Sequence, residues 1–454
     1  HYDYWQDKLL PTILELSGAD YLIYGMGEKP VTALADAISE GRMSDMAKLP
    51  QTGFLCREIP GGLSEEDLML ASHRECLEDK RRQAANFRII EEESNKIEAR
   101  RIIQPVGERF MVVNPPYPPM TSDELDAVYD LPYTRLPHPR YKGRRIPAYE
   151  MIRHSITIHR GCFGGCAFCT ISAHQGKQIV SRSKKSILKE AEAVTRMEDF
   201  KGYITDLGGP SANMYGLSGR DKNVCAKCKR PACLHPKVCP NLNTDLTPLV
   251  DLYRSVGKVP GVKKISIGSG IRYDIMQYRD PDVKADKSHR TYTEELISKH
   301  VGGRLKVAPE HTQDHVLDLM RKPPFSRFED FKKTFDRINR ECGLNQQLIP
   351  YFISSHPGCT EEDMALLAII TKRLNFRLEQ VQDFTPTPMT LSTEIFYTGI
   401  NPYTMKPVYS ARTDREKQAQ QQFFFWYDPA RRNSLIAELR RIGRSDLIPK
   451  LFHP

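Results

Sequence analysis

From residue 154 to about residue 400 the sequence repeats one pattern, a short apolar run of strand character followed by a helical stretch. Strand signals fall near 155–159 (SITIH), 202–207 (GYITDL), 263–269 (KKISIGS), 304–308 (RLKVA), 348–353 (LIPYFI) and 378–383 (LEQVQD). Helical signals fall at 183–199, 245–257, 292–300, 312–320, 327–342 and 360–374. The last opens on Thr360-Glu361-Glu362-Asp363, a capping-box-like start with acids in the first turn. Alternating strands and helices predict a parallel sheet with helices outside it, so the fold class is α/β. Six such units predict a partial (β/α)6 barrel, with catalytic groups in the loops at the C-terminal ends of the strands.

The flanks read differently. Residues 14–41 give a helix end, a short strand Tyr21–Tyr24, a glycine turn and a helix from about Pro30. That order predicts that 1–60 is the end of an open α/β module. The chain opens at His1 rather than Met, so the rest of that module is expected upstream. Residues 61–149 read as a connector, with a charged helical stretch over 63–106 and a Pro-rich extended linker over 113–149. Its basic cluster, Arg140, Lys142, Arg144 and Arg145, reads as a solvated loop, with phosphate contact as the sharper alternative. The barrel takes 150–400, with a Cys-rich insertion at 218–244, and 401–454 is a basic tail, helical around 430–443. Phe423-Phe424-Phe425-Trp426-Tyr427 is expected to dock that tail on the core; an RNA-stacking platform is the alternative.

Cysteines carry the chemistry. There are 11, and the seven between 162 and 239 form two tight groups. Disulfide frameworks belong to small secreted chains, whereas this one has 454 residues and shows no secretory signal. No run of about 18 apolar residues predicts a membrane span. A cytoplasmic location with metal-binding thiols follows as the expectation. Lys plus Arg exceed Asp plus Glu by 66 − 57 = 9, and this excess is spread over the linker, the second cysteine group and the tail. That spread argues against one concentrated nucleic-acid groove.

The first group, Cys162-x3-Cys166-x2-Cys169, follows the first barrel strand in a glycine-rich loop. Three thiolates can hold three irons of a [4Fe–4S] cluster and leave one iron open. Gly161, Gly164 and Gly165 let the backbone curl around such a cluster, and Phe168 sets an aromatic beside it. The competing readings are zinc, with His159 or His174 as fourth ligand, or buried thiols. The second group is Cys225-x2-Cys228-x4-Cys233-x5-Cys239-Pro240, interleaved with Lys222, Lys227, Lys229, Arg230 and Lys237. Its spacing departs from a zinc ribbon and from the ferredoxin run, so an iron–sulfur cluster and a structural zinc both stay open, with His235 able to replace one Cys. Cys56, Cys76 and Cys342 read as packing residues. His289, His300 and His315 read as surface or satisfied core histidines.

The C-x3-C-x2-C loop with an aromatic before its last Cys resembles the radical S-adenosylmethionine (SAM) superfamily. Further segments fit that resemblance. Ser181-Arg182-Ser183 resembles the RSR of methylthiotransferase-type members, and Gly208-Gly209-Pro210 stands where the family has GGE, with Pro210 in place of Glu. Ser266, Gly268, Ser269 and Arg272 end the third strand, where family members commonly contact the cofactor ribose and carboxylate. Glu310-His311-Thr312 resembles the region after the fourth strand, and Pro357-Gly358-Cys359 resembles the segment near the adenine, with Cys359 in place of Glu. The phrases RGCFGGCAFC, TDLGGPSANMY, GSGIRYD, HVGGRLKVAPEH, LIPYFISSHPG, QVQDFTPTP and FYTGINP, spanning roughly residues 100–405, resemble the YgiQ-type group of that superfamily.

The resemblance implies a [4Fe–4S] cluster on Cys162, Cys166 and Cys169, with SAM on the open iron. Reductive cleavage of the cofactor would then give a 5′-deoxyadenosyl radical that takes a hydrogen atom from the substrate. Implied cofactor-binding residues are Phe168, Ser181, Arg182, Gly208, Gly209, Ser266, Ser269, Arg272, Pro357 and Gly358. Glu310 and His311 are implied to position substrate or carry a proton; a Glu310 that only pairs with a nearby Lys or Arg is the plainer reading. Cys359 is either a hydrogen donor or a packing residue. An electron donor such as flavodoxin or ferredoxin is implied. A cobalamin-like N-terminal module is implied too, with any cobalamin-ligating histidine upstream of His1. The substrate, whether small molecule, tRNA or protein, stays open. The alternative function is a non-catalytic zinc-binding RNA-associated protein.

Overall fold

The computed structural model describes residues 1–452. The last two residues of the expected tail lie outside the described residues. Strands of the alternating region fall where the apolar runs predict them: Ser155–Thr157, Tyr203–Ile204, Asp206–Gly208, Lys264–Ile265, Arg304–Glu310, Gln347–Ser354 and Gln380–Asp383. All their pairings are parallel. Asp206–Gly208 pairs with Ser155–Thr157, Tyr203–Ile204 with Lys264–Ile265, and the last three strands form one sheet in chain order. Between the third and fourth strand positions there is no ladder and the sheet does not close. A π-helical turn, Leu296–His300, spans that gap. The His300 carbonyl accepts from the Ile267 amide at 3.0 Å, and its Nδ1 lies 3.1 Å from the Ile265 carbonyl.

Helices cover the outside because their apolar residues recur at helical spacing. Phe325–Glu341 buries Phe325, Phe328, Phe331, Phe335 and Ile338 along one stripe. Glu361–Arg373 starts with a complete capping box, Thr360 and Asp363 exchanging bonds. The helix expected over 292–300 begins earlier, at Val283, and ends in the π turn. Phe423 and Phe424 are fully buried and seat the tail in the main core, as their aromatic run predicts.

The N-terminal region departs from expectation. Its sheet has five strands in the order Tyr21–Ile23, Thr52–Cys56, Arg109–Val113, Ile102–Val106, Leu68–Met69. Every pair except the last is antiparallel, so the described part is not a run of βα units. The sheet also does not stop near residue 60, because three of its strands come from the stretch assigned to a connector. The missed signal is Ile102–Val106 and Arg109–Val113, two apolar runs joined at Gly107 (φ 59°), which is a hairpin pattern hidden between charged flanks. Phe54, Ile103 and Val112 pack one face and Leu14, Val106 and Met111 the other. The Pro-rich stretch is not simply extended: it holds the helix Ser122–Tyr129, capped by Thr121 and Glu124, and the short helix Pro147–Ile152. Arg140, Lys142, Arg144 and Arg145 are exposed. Among the described residues, no helix is long and apolar enough to cross a membrane.

The helix Leu391–Thr398 packs on the helix Lys80–Ser94 and carries a buried acid, Glu394. Gln83 Nε2 donates to its Oε2 at 3.1 Å, but Oε1 has no partner. Burial pushes the Glu394 carboxyl up to about 7. An acid raised in the folded state loses stability as pH climbs from its unfolded value toward its folded one. Stability is therefore expected to fall by about 3 kcal/mol from this group between about pH 4.5 and 7. Glu394→Gln should match the wild-type melting temperature at pH 5 and exceed it at pH 8; equal gaps at both pH values would refute the assignment.

Candidate active site

After Thr157 the chain runs through His159, Arg160 and Gly161 into the first cysteine loop. Glycine is required at its turns. Gly161 has φ 87°, and a β-carbon there would strike the Gln178 carbonyl. Gly165 has φ 58°, and its β-carbon would strike the Pro231 carbonyl. A β-carbon on Gly164 would sit 2.7 Å from Arg272 Nη1. Backbone bonds pin the loop: Cys162 N to the Gly176 carbonyl at 3.1 Å, Ala167 N to Met320 at 3.0 Å, and Cys169 N to Cys166 at 3.1 Å.

The three thiols lie within electrostatic reach of one another. Burial, with Cys166 adding, pushes the Cys162 thiol up to about 12, and burial raises Cys169 as well. Such thiols bind metal only by giving up a proton, so loading is coupled to deprotonation. Among the described residues, no three His, Cys, Asp or Glu side chains converge on a single metal-ion position. A cluster that takes one thiolate per iron does not need such convergence.

Charged and polar groups surround the loop. Arg272 Nη1 lies 3.4 Å from Cys166 Sγ, while Nε and Nη2 hold Asp274 at 3.0 and 2.6 Å. Burial alone would raise Asp274, but the Arg272 charge and bonds keep it below the usual carboxylate range. Glu310, at the end of the fourth strand with φ 70°, pairs with Lys322 at 3.6 Å. Its Oε2 is buried without a partner, and burial raises its carboxyl. Phe168 meets the His356 ring edge-on at 6.1 Å. Asp206 accepts from the amides of Gly268 at 2.8 Å and Ser269 at 3.1 Å, and from the Ser269 hydroxyl.

His159 stands out among residues that the sequence weighed only as a zinc ligand. It is 0 % exposed, both ring nitrogens lack partners, and burial pulls it down to about 4, so the ring is neutral. Gly209 lies flat against it: a β-carbon there would come within 2.5 Å of Cε1. Gly208 similarly leaves room for Ser269, 2.6 Å from where its β-carbon would be. Arg272 and Glu310 thus lie beside the cysteine loop that carries Phe168, while Gly208, Gly209 and Ser269 meet His159 and Asp206.

Other expected site residues make contacts of their own. The Arg182 guanidinium is used up by Glu190, Ser186 and the Thr157 carbonyl, and it stacks 4.1 Å from the Tyr129 ring. Ser181 Oγ accepts from the Gly216 amide at 2.9 Å. His311 is fully buried, with Nδ1 accepting from Gln313 N at 3.1 Å and Nε2 lying 3.5 Å from Cys359 Sγ. Burial, then the nearby His356, pulls it down to about 3, so the ring is neutral where it packs beside Cys359. Cys359 is likewise packed. Ser266 contributes its amide to the Ile204 carbonyl at 2.9 Å. Pro357 accepts at its carbonyl from His356, and Gly358 N donates to Tyr409 at 2.7 Å. Cys76 packs under Asn86, but Cys342 is exposed rather than packed. His289 and His300 are bonded core residues, and His315 is a surface residue near Asp363. A cleft of about 620 Å³ lined by Tyr129, Arg135, Arg160, Arg182 and Glu190 contains none of the cysteines.

Comparison with known proteins decides the family. The chain is 63 % identical to a UPF0313 protein of Bacteroides thetaiotaomicron, over 100 % of this chain and 75 % of that protein. It is 60 % identical to a UPF0313 protein of Porphyromonas gingivalis and 43 % identical to one of Methanocella arvoryzae, covering 72 % and 73 % of them. The chain belongs to the UPF0313 family. Residues 1–155 match the family described as Radical SAM N-terminal, and 379–450 match a domain of unknown function, DUF3362. This UPF0313 chain is a radical SAM superfamily protein of YgiQ type. A radical SAM methyltransferase, TsrM from Kitasatospora setae, solved with cobalamin and a [4Fe–4S] cluster, aligns with 85 % of the chain and 54 % of its own at TM-score 0.43 and 16 % identity.

The glycine contacts of the UPF0313 chain are testable. Gly209→Ala should destabilise by about 1–3 kcal/mol through overpacking on His159. Gly270→Ala, where a β-carbon meets nothing within 4 Å, should be near neutral in the same thermal melt. Equal melting temperatures for the two variants would remove the close His159 contact.

Proposed function

We propose that this chain is the catalytic core of a radical SAM enzyme whose cluster is held by Cys162, Cys166 and Cys169. The observation that carries this is the loop itself, with three coupled thiols curled by obligatory glycines over the end of a parallel strand. The thiol donor set fits a [4Fe–4S] cluster, and the unpartnered buried atoms of His159 and Glu310 fit a polar cofactor beside it. When bound, the cluster and SAM would supply reductive carbon–sulfur cleavage and a hydrogen-abstracting 5′-deoxyadenosyl radical. The protein's share is positioning. Arg272 sets a fixed positive charge against Cys166, anchored by Asp274. Gly208 and Gly209 let Ser269 and the unpartnered His159 ring close against the second strand, and Phe168 with His356 walls the loop on the side of the fifth strand. Glu310, raised by burial and half-paired with Lys322, is the side chain suited to hold a proton there.

Six parallel strand positions in chain order support a partial (β/α)6 barrel as the scaffold. A cytoplasmic location and an external one-electron donor such as flavodoxin or ferredoxin belong to the same reading. Cobalamin use and the substrate, whether small molecule, tRNA or protein, are left open by it. The deciding experiment is anaerobic reconstitution with iron and sulfide, then dithionite and SAM. The wild type should release 5′-deoxyadenosine and Cys162→Ala should release none. Protein that takes up only zinc and yields no 5′-deoxyadenosine would support the zinc-binding RNA-associated alternative instead.

A further inference from the structure

The second cysteine group is folded against the first. Cys233 N donates to the Phe163 carbonyl at 2.9 Å, one residue from Cys162. Pro231 and Ala232 press on Gly165 so closely that no β-carbon fits there. Cys228 N bonds the Cys225 carbonyl at 3.2 Å, and Cys239 N bonds Cys233 at 2.7 Å, so the insertion is wound into a compact turn system. Its thiols act electrostatically on one another: Cys225 feels Cys228 and Cys239, and Cys233 feels Cys239 and Cys228.

A buried cation sits among them. Lys177 is 5 % exposed, and its Nζ lies 2.8 Å from the Arg230 carbonyl and 3.7 Å from Cys228 Sγ. Among the described residues, no carboxylate lies within ion-pair distance of it. A buried ammonium is costly without an opposite charge. Carbonyls and neutral thiols do not supply one; metal-bound thiolates would. Lys177 also follows Gly176, whose carbonyl holds Cys162 N, so one short segment touches both cysteine groups.

We propose that Cys225, Cys228, Cys233 and Cys239 ligate a second iron–sulfur cluster, with Lys177 as its buried counter-charge, in contact with the first cysteine loop. The irregular spacing departs from a zinc ribbon, and contact with a second thiol-rich loop places the site where one-electron exchange with it is short-range. An N–H donor and a positive charge next to a cluster sulfur favour the more negative, reduced form, so Lys177 raises the reduction potential of this site.

The test uses the full chain with the first site removed, Cys162→Ala/Cys166→Ala/Cys169→Ala, so that it is independent of SAM cleavage. After anaerobic reconstitution this variant should keep about four irons per chain, against about eight in the wild type, and give a reducible cluster signal in electron paramagnetic resonance. In that background Lys177→Met should shift the potential to more negative values, and Lys177→Arg should hold it near the parent. The proposal is overturned by zinc in place of iron, by no iron in a triple variant whose circular dichroism matches the wild type, or by equal potentials in the Met and Arg variants. A wild type that holds iron here but releases no 5′-deoxyadenosine would count against the proposed reaction and leave this site standing.

Discussion

Close backbone contact around the first cysteine loop is the constraint on which the site depends. At Gly161, Gly164, Gly165 and Gly209 a single β-carbon would collide with Gln178, Arg272, Pro231 or His159. Those contacts bring the loop against the Lys177 segment, the third strand's Arg272, the Cys-rich insertion and the second strand's glycines. Protein interiors yield little to added volume, so the arrangement tolerates no larger residue at these points without moving a neighbour. The same closeness buries the thiols and raises Cys162 and Cys169, so a metal taken up here would have to displace their protons.

One helix holds the separate parts of the chain in register with that loop. Lys80–Ser94 offers Glu91 to the two terminal guanidinium nitrogens of Arg321 at 2.7 and 2.8 Å, and to the Tyr403 hydroxyl. Arg321 is largely buried, and removing one partner of such a buried, bidentate pair costs about 3–5 kcal/mol. Glu92 reaches Lys229 at 3.4 Å, and the amides of Ile97 and Glu98 share the Ala226 carbonyl at 3.0 and 2.9 Å. The Cys-rich insertion, the turn after the helix Asp314–Leu319 and the stretch after Leu391–Thr398 thus meet on a segment that the sequence presented as a charged connector. Its charges are there to make inter-element bonds, which composition cannot distinguish from a solvated face.

The parallel strands and their helices were legible because apolar periodicity is a local signal. Phe325–Glu341 and Gln347–Ser354 differ from the expected ranges by two residues or fewer at each end. The hairpin at 102–113 was not, since Arg100, Arg101, Glu108 and Arg109 masked its two apolar runs. The first cysteine loop was legible as a candidate site from spacing and glycine content. His159, Asp274, Lys322 and Lys177 were not, because each matters through a neighbour distant in sequence. His311 and Arg182 show the converse. Their motifs pointed to a ligand, and the structure adds partners the sequence did not show, Cys359 for His311 and Glu190 for Arg182.

What the sequence alone determined is the donor chemistry: three thiols at tight spacing in a glycine-rich loop after a strand, and four more in an insertion. Spacing limits which thiols can share a cluster, and glycine limits which backbone turns are open, and both are written in adjacent residues. Only the tertiary structure decided that the two groups touch, that Lys177 lies buried against the second group with no acid beside it among the described residues, and that His159 faces Gly209 with both ring nitrogens unpartnered there. Those relations are made by carbonyls, amides and side chains from segments far apart in the chain. Such contacts leave no periodicity to read, because any sequence that keeps the loop small and the neighbour in place would satisfy them.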